Sequence, residues 1–328
     1  MIIEQLSHLR LSRFEVVLQA AGEAVLPALI GSTLRGAFGH ALKAISCSVQ
    51  HRDCERCFLS EACLYTTVFE PTSTGKKQDI PRPFVFDPPI PPLTREISES
   101  KVLKLRVNGN GRISFGLTLI GETVKKLPYF IYAFELMARH GLGVNRQSFS
   151  IREVFHIDAD NGKTLIYENS LTKVLPFKQT NLAEFVEKRL CEIKSSRYLQ
   201  IQNQTPLRIR RNRELLEKIS FAEIFKQCSL RLKFLSENYG RQMDFDYKTL
   251  MNKAEAVRTE SDNLWKHGLS RRSNSQNKKF DLDGMLGEIR FQSDDFFPFL
   301  PFIAACEFLN IGSASSLGLG KIRMEMID

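Results

Sequence analysis

The sequence predicts an α+β protein made of two tandem β-α-β-β-α-β units, on three observations. Short alternating stretches and amphipathic helical stretches follow one another in that order in the first half of the chain. Past Asp158 the pattern restarts. At 328 residues and 43% apolar content, the chain can bury two cores of ordinary domain size.

Phe14, Val16 and Leu18 alternate within Arg13 to Ala20, which reads as a first strand. Pro27 and Gly31 break the chain, and Ser32 or Thr33 can cap a helix running to about Ala44. Leu34, Ala37, Phe38, Ala41, Leu42 and Ile45 recur along it at spacings of three and four. A cysteine-bearing segment follows from Cys47 to Cys63, then a Pro-rich stretch, Pro81 to Pro92, with an extended piece at Phe84 to Asp87. Lys101 to Val107 and Ile113 to Ile120 read as a hairpin across Asn108-Gly109-Asn110-Gly111. Leu127 to His140 reads as a helix stopped by Gly141, and Ser148 to Ile157 as a strand. This order is the split βαβ, ferredoxin-like (RRM-like) pattern. The predicted domains are 1–158, with a Cys-rich metal-binding insertion at about 46–64, and 159–328, with a glycine-rich loop.

In the second half, Asp160-Asn161-Gly162 is a turn and Asn181 to Ser195 a connecting helix. Pro206 to Arg211 reads as a basic strand and Phe221 to Tyr239 as a helix with Phe221, Ile224, Phe225, Leu232 and Leu235 on one face. Leu264 to Phe291 supplies two strands around a hydrophilic loop, Arg271 to Lys279, with nothing apolar to bury before it meets a partner. Phe296 to Leu309 is an apolar helix and Leu319 to Met326 the closing strand.

A net charge of +9 favours a polyanionic partner, because clustered Lys and Arg release counterions from a phosphate backbone. No run of about 18 apolar residues is present, and Met1 to Arg10 lacks a signal-peptide core, so a cytoplasmic protein with no membrane partner is expected. Cys47, Cys54, Cys57 and Cys63 give C-x6-C-x2-C-x5-C within seventeen residues. In a reducing compartment this spacing fits a structural tetrahedral zinc better than disulfides. An iron–sulfur cluster uses the same ligand count, and His51 offers a three-cysteine, one-histidine variant. Cys191, Cys228 and Cys306 fall at apolar helix positions and read as core.

Gly312, Gly318 and Gly320 surround a Ser-rich turn, a loop type that exposes backbone N–H groups to phosphates. Lys321 is followed by Ile322 and not Ser or Thr, which excludes a Walker-type nucleotide loop. Lys321 and Arg323 share a strand face beside the glycines. Arg208 and Arg210 share another by alternation, with Arg211 and Arg213 adjoining, and Arg271, Arg272, Lys278 and Lys279 flank the hydrophilic loop. A solvated charged edge explains any one of these; the group favours nucleic acid.

Several pieces together resemble the CRISPR repeat-RNA processing endoribonucleases of the repeat-associated mysterious protein (RAMP) superfamily. They are Leu34-Arg35-Gly36-Ala37-Phe38-Gly39-His40, Leu64-Tyr65 with Phe69-Glu70-Pro71, Pro83-Phe84-Val85-Phe86, His140-Gly141-Leu142-Gly143 with Arg146, Thr205-Pro206-Leu207, Trp265 with Ser270-Arg271-Arg272, Leu286-Gly287-Glu288-Ile289, and Gly318-Leu319-Gly320-Lys321. The resemblance implies two ferredoxin-like domains binding CRISPR repeat RNA in a cleft and along a basic face, with DNA not expected. It implies metal-independent cleavage in which a 2′-hydroxyl attacks the scissile phosphate, leaving a 2′,3′-cyclic phosphate and a 5′-hydroxyl. Such a reaction needs a base, an acid and a cation over the phosphorane.

On that resemblance His40 is the first catalytic candidate, with Lys43 three residues on, and His267 beside Lys266 the second. A packed or partly solvated helix histidine is the alternative for His40, and a surface strand residue the alternative for His267. The implied RNA-binding set is Arg35, Arg208, Arg210, Arg211, Arg271, Arg272, Lys278, Lys279, Gly318, Gly320, Lys321 and Arg323. Relatives often carry a histidine before the glycine that opens the C-terminal loop; here Asn310 stands there, which can hydrogen-bond but not shuttle a proton. That departure sustains an alternative, a non-catalytic RNA-binding subunit of a CRISPR effector complex.

Overall fold

A computed structural model describes residues 2–27, 29–49, 54, 56–71, 80–90, 104–143, 145–212, 214–268, 270–273 and 278–328. The chain divides into two units, Arg10–Pro91 with Val102–Thr180, and Asn181–Asp328 with Met1–Leu9. The elements begin with α1 (Ile2–Leu6), β1 (Leu11–Ala20), β2 (Ala24–Pro27) and α2 (Gly31–Ser46). A π-helical turn at Tyr65–Phe69 leads to β3 (Phe84–Asp87), β4 (Lys104–Val107), β5 (Arg112–Ile120), α3 (Leu127–His140), β6 (Phe149–Ile157) and β7 (Lys163–Glu168).

The first unit's sheet runs β3-β5-β1-β6-β7, all antiparallel. Its alternating residues Phe14, Val16 and Leu18 point into the core, as the period of two requires. The expected hairpin between residues 101–107 and 113–120 does not form. A strand has only two hydrogen-bonding edges, and those of β5 are taken by β1 and β3. The Asn108–Gly111 turn is present, with Gly111 N–H donating to Asn108 O at 2.8 Å, but it delivers β4 to β2 in a separate two-stranded ribbon. The helix cap also differs: Ile30 occupies the N-cap of α2 with no side-chain bond, so neither Ser32 nor Thr33 fills that role.

The first unit runs past Asp158 as far as Thr180. Asp158 Oδ1 accepts from the N–H groups of Asp160 (3.0 Å) and Gly162 (2.7 Å), a tight turn that folds β7 back onto β6. The boundary therefore falls at 180/181, where the predicted turn at Asp160–Gly162 belongs inside the first sheet.

The second unit holds α4 (Leu182–Cys191), β8 (Tyr198–Leu207), β9 (Arg210–Arg211), β10 (Glu214–Leu215), α5 (Phe221–Tyr239), α6 (Tyr247–Glu255), β11 (Arg258–Asp262), β12 (Trp265–His267), β13 (Ser270–Ser273), β14 (Lys278–Asp281), β15 (Gly284–Gln292), α7 (Leu300–Leu309) and β16 (Ile322–Ile327). Its sheet order is β11-β15-β8-β16. Numbered by the repeat of each unit, both sheets therefore read second-third-first-fourth strand, with α2 packed on α3 in one and α5 on α7 in the other. The predicted repeat is present in topology although the halves share no evident sequence. The Arg271–Lys279 stretch, expected as a loop, carries the β13–β14 ribbon, with Arg272 opposite Lys279; residues 274–277 lie outside the described residues.

A buried ion pair ties three elements of this unit. Arg189 Nε on α4 meets Glu307 Oε2 on α7 at 2.7 Å, and Met324 N–H of β16 donates to Glu307 Oε1 at 2.6 Å. Both side chains are less than a tenth exposed. Removing one partner of such a pair leaves an uncompensated charge in low dielectric, costing about 3–5 kcal/mol. Arg189→Ala and Glu307→Ala are each expected to lower unfolding free energy by about that amount in urea titrations, whereas Arg189→Met with Glu307→Leu costs less than the two singles summed.

Two buried histidines set a pH dependence. His156 lies between Phe14 and Phe177, ring centroids 5.6 and 5.0 Å away, and His267 stands edge-on to Trp265. Burial lowers both from the ordinary value of 6.5, against smaller opposing contributions from Asp158 and Asp283. A lowered histidine stays neutral in the fold while the unfolded chain takes up the proton. Stability is thus fully present above the unfolded value and declines as pH falls below about 6.5. Urea titrations between pH 8 and 5 are expected to show this decline, and His156→Gln to flatten it.

Candidate functional site

The first unit positions its candidate residues through α2. Leu34, Phe38, Ala41 and Leu42 are buried along one face of that helix. A helix advances about 100° per residue, so a chain that buries Phe38 turns His40 outward, and His40 is exposed. On a third face Arg35, Gly39 and Lys43 recur at steps of four and meet the π-helical turn. The Arg35 guanidinium lies 4.5 Å from the Phe69 ring centroid and the Lys43 ammonium 5.2 Å from that of Tyr65. Between them Gly39 admits the Phe69 ring, whose Cε1 would stand only 2.5 Å from an added Cβ.

Tyr65 donates to Glu70 Oε1 at 2.8 Å. Burial first, and then the Glu70 carboxylate, push its hydroxyl well above the usual tyrosine range, so it is a proton donor and not a base. The site thus comprises an exposed imidazole, an ammonium held one helical turn away and a protonated phenol fixed by a carboxylate. The sequence offers His40 and Lys43 as candidates and assigns no role to Tyr65. The signal for it was the aromatic pair Tyr65 and Phe69 at helical spacing.

The cysteine segment begins at the C-terminus of α2. Cys47, Cys57 and Cys63 line one pocket of about 340 Å³. The N–H of Cys57 donates to Cys54 O at 3.4 Å, and all four cysteines are half-buried and outside any disulfide. Among the described residues no three Cys, His, Asp or Glu side chains converge closely enough to hold a metal ion. His51 lies outside the described residues.

In the second unit the glycine-rich loop is welded to the end of β8. Gly312, Gly318 and Gly320 take φ of 74°, 82° and 72°, the left-handed region that glycine tolerates. Ser313 N–H donates to Arg208 O at 2.9 Å, Gly320 N–H to Pro206 O at 3.1 Å and Lys321 N–H to Thr205 Oγ1 at 2.9 Å. Gly318 N–H donates to Ser315 O at 2.9 Å, and Gly318 and Gly320 are buried. The expectation that this loop offers the N–H groups of Gly318 and Gly320 to phosphate is therefore corrected: they are spent inside the fold. Asn310 ends α7 at φ 55°, is 4% exposed, and donates from Nδ2 to Leu319 O at 3.2 Å. Arg231 of α5 donates to the adjacent Leu309 O at 3.1 and 3.2 Å, its pKa drawn down by burial to about 10.

The cations divide. β8 ends at Leu207, and Arg208 beyond it is 4% exposed with its guanidinium donating to Asp283 O, while Arg210 is exposed on β9. Arg208 and Arg210 consequently do not share a face, because the strand stops before the alternation reaches them. Arg211 pairs with Glu223, and Arg323 lies 3.5 Å from Glu307. Lys321 is half-buried beside the loop. Register places Arg271 opposite Phe280 and Lys278 opposite Ser273 on the β13–β14 ribbon. Arg213 lies outside the described residues. His267 is 7% exposed, which corrects its reading as a surface residue.

No helix among the described residues is long and apolar enough to cross a membrane. Residues 9–179 match the model of the AF_1859_N N-terminal domain, and residues 201–322 that of the CRISPR-associated endoribonuclease Cas6. An uncharacterized protein of Archaeoglobus fulgidus is 27% identical over 154 residues, covering 44% of this chain and 47% of that protein, so the match spans about half the length of the curated relative. In fold, the chain is similar to a Cas6 product complex (14% identity, 95% of this chain and 99% of the other, TM-score 0.53) and to Thermus thermophilus Cas6 (12%, 96% and 98%, 0.52). It is also similar to part of a Cas6-RT-Cas1–Cas2 complex (12%, 97% of this chain and 29% of the other, 0.58). With the AF_1859_N domain model matching just over half of its length, the chain belongs to the AF_1859_N family, and its second half carries a match to the CRISPR-associated endoribonuclease Cas6.

Proposed function

We propose that the protein cleaves CRISPR precursor RNA within its repeats, without a catalytic metal, to release guide RNAs. The observation that carries the reading is His40, an exposed imidazole on a helix whose other faces are locked, one turn from the Lys43 ammonium. Histidine is the side-chain type suited to proton transfer near neutral pH, because the unperturbed imidazole pKa is roughly 6.5. The 2′-oxygen attacks the adjacent phosphorus while its proton passes to a base, and the 5′-oxygen leaves as it takes a proton from an acid. The phosphorus keeps four oxygens, as a 2′,3′-cyclic phosphate opposite a 5′-hydroxyl. His40 serves one proton transfer, and Lys43 supplies positive charge to the phosphorane oxygens. His267, buried and held neutral, ranks below it. Arg210, Arg271, Arg272, Lys278, Lys279, Lys321, Arg323 and Arg35 are assigned to the RNA backbone, and Arg211, paired with Glu223, is left out of that set.

The test is incubation with repeat RNA from the same locus in excess EDTA, followed by analysis of product ends. The expected result is a single cut with a cyclic phosphate, blocked by a deoxy substitution at the attacking nucleotide. His40→Ala is expected to slow cleavage by roughly 10²–10⁴-fold. A full rate in that variant removes His40 from the mechanism. Tight binding with the RNA intact after long incubation transfers the protein to a non-catalytic role in an effector complex.

The cysteine segment is assigned to a structural zinc, supported by four cysteines within seventeen residues that form no disulfide, three of them lining one pocket. Metal binding would fold a segment that leaves Phe58 82% exposed and has few apolar residues to bury. Purified protein is expected to carry one zinc per chain, and Cys57→Ser with Cys63→Ser to lose it and melt several degrees lower. Iron with visible absorption would replace zinc by an iron–sulfur cluster. Metal-free protein with all four thiols reacting freely would remove the site.

A further inference from the structure

In the second unit a cavity of about 790 Å³ opens between the start of α5 and β12, and no residue of the glycine-rich loop lines it. The chain's single tryptophan, Trp265, lines it, half-buried. One edge of that indole is fixed by His267, at 5.8 Å between centroids and 78° between planes, and its strand is fixed by pairing with Leu286. The cavity's charged lining is balanced: Arg211, Lys218 and Lys266 face Glu217, Glu223 and Asp262. Arg211 pairs with Glu223, and Lys266 Nζ stands 3.3 Å from Glu217 Oε1.

This balance selects the occupant. A phosphate among three carboxylates gains little where Arg211 and Lys266 already pair with Glu223 and Glu217. A neutral, flat heterocycle with both amino and carbonyl groups on its edge can use both signs, giving hydrogens to carboxylates and accepting them from Lys or Arg. RNA is read in sequence by this combination, an unstacked base laid on an aromatic ring with its edge hydrogen-bonded. The chain reaches the cavity beside cations suited to the backbone: Arg210 on β9 is exposed, and Ser270–Ser273 of the basic ribbon follows β12 within three residues.

We infer that this cavity binds one unpaired nucleobase of the RNA, stacked on Trp265 and read by the Glu217, Asp262 and Lys218 side chains. The inference rests on the RNA-processing reading above and adds a base-specific subsite to it.

The sole tryptophan makes the test direct. Repeat RNA carrying a 2′-deoxy block at the cleaved position is titrated into the wild-type protein, following tryptophan fluorescence and, separately, filter binding. Quenching that saturates with binding, and that disappears when one particular nucleotide is made abasic, is the expected result. Trp265→Ala is expected to weaken binding roughly 5- to 150-fold, the range for loss of one base–aromatic stack, and Trp265→Phe to restore most of it. Wild-type binding with no change in fluorescence, or with quenching that persists at every abasic position, overturns the subsite and leaves the nuclease reading intact. Equal quenching by free mononucleotides at the same concentration also overturns it, in favour of a small-molecule pocket. Absence of RNA binding in the filter assay overturns both readings together.

Discussion

The first unit depends on the ring of Phe38. Its centroid lies 4.9 Å from Phe130 and 5.1 Å from Phe134 on α3, 5.7 and 5.5 Å from Phe84 and Phe86 on β3, and 6.1 Å from Phe69 on the π-helical turn. One side chain thus joins both helices, an edge strand and the irregular turn, in offset and edge-to-face contacts worth about 0.5–1.5 kcal/mol each beyond area burial. With Phe38 inward, the helical screw leaves no freedom in where Gly39 and His40 go. Gly39 faces Phe69 and His40 faces solvent. The exposure of the candidate catalytic group is therefore a consequence of core packing two residues away, and Phe69 extends the same packing to the Arg35 and Lys43 cations.

The second unit is tied by polar groups instead. Glu307 gathers Arg189, Arg323 and the Met324 N–H, and the loop from Asn310 to Lys321 returns its N–H groups to Thr205, Pro206 and Arg208. Buried donors must be satisfied somewhere, and here the protein satisfies them itself. That use of the loop explains why its glycines recur with Lys321 without making an anion cradle. They are needed for left-handed backbone and close approach to β8.

Helices were legible in the sequence to the residue where one strong period runs between clear stops. Leu127–His140 and Phe221–Tyr239 each match, ended by Gly141 and Gly240. Strand existence was legible too, but pairing was not. The Asn-Gly turn at 108–111 carries no information on which edges β5 has free, since those partners lie far along the chain. β11 escaped notice because all five of its residues are exposed on an edge, so no alternation marks it. The fate of Arg208 was hidden for a related reason: alternation holds only while the strand lasts. In the site, His40 followed from helical phase and resemblance, whereas Trp265 gains its meaning only from the cavity around it.

Asn310 bears on where proton chemistry can reside. Its backbone at φ 55° suits asparagine, its side chain is committed to Leu319 O, and the helix end beside it is held by Arg231. It is part of the loop's architecture. Among the described residues His156 and His267 are buried, leaving His8, His40 and His140 exposed. His140 closes α3, and His8 lies just beyond the short α1. Of the three, His40 is the one with an aromatic-held ammonium a single turn away. On the reading proposed above, with Asn310 committed to the loop, proton transfer therefore rests on His40 of α2.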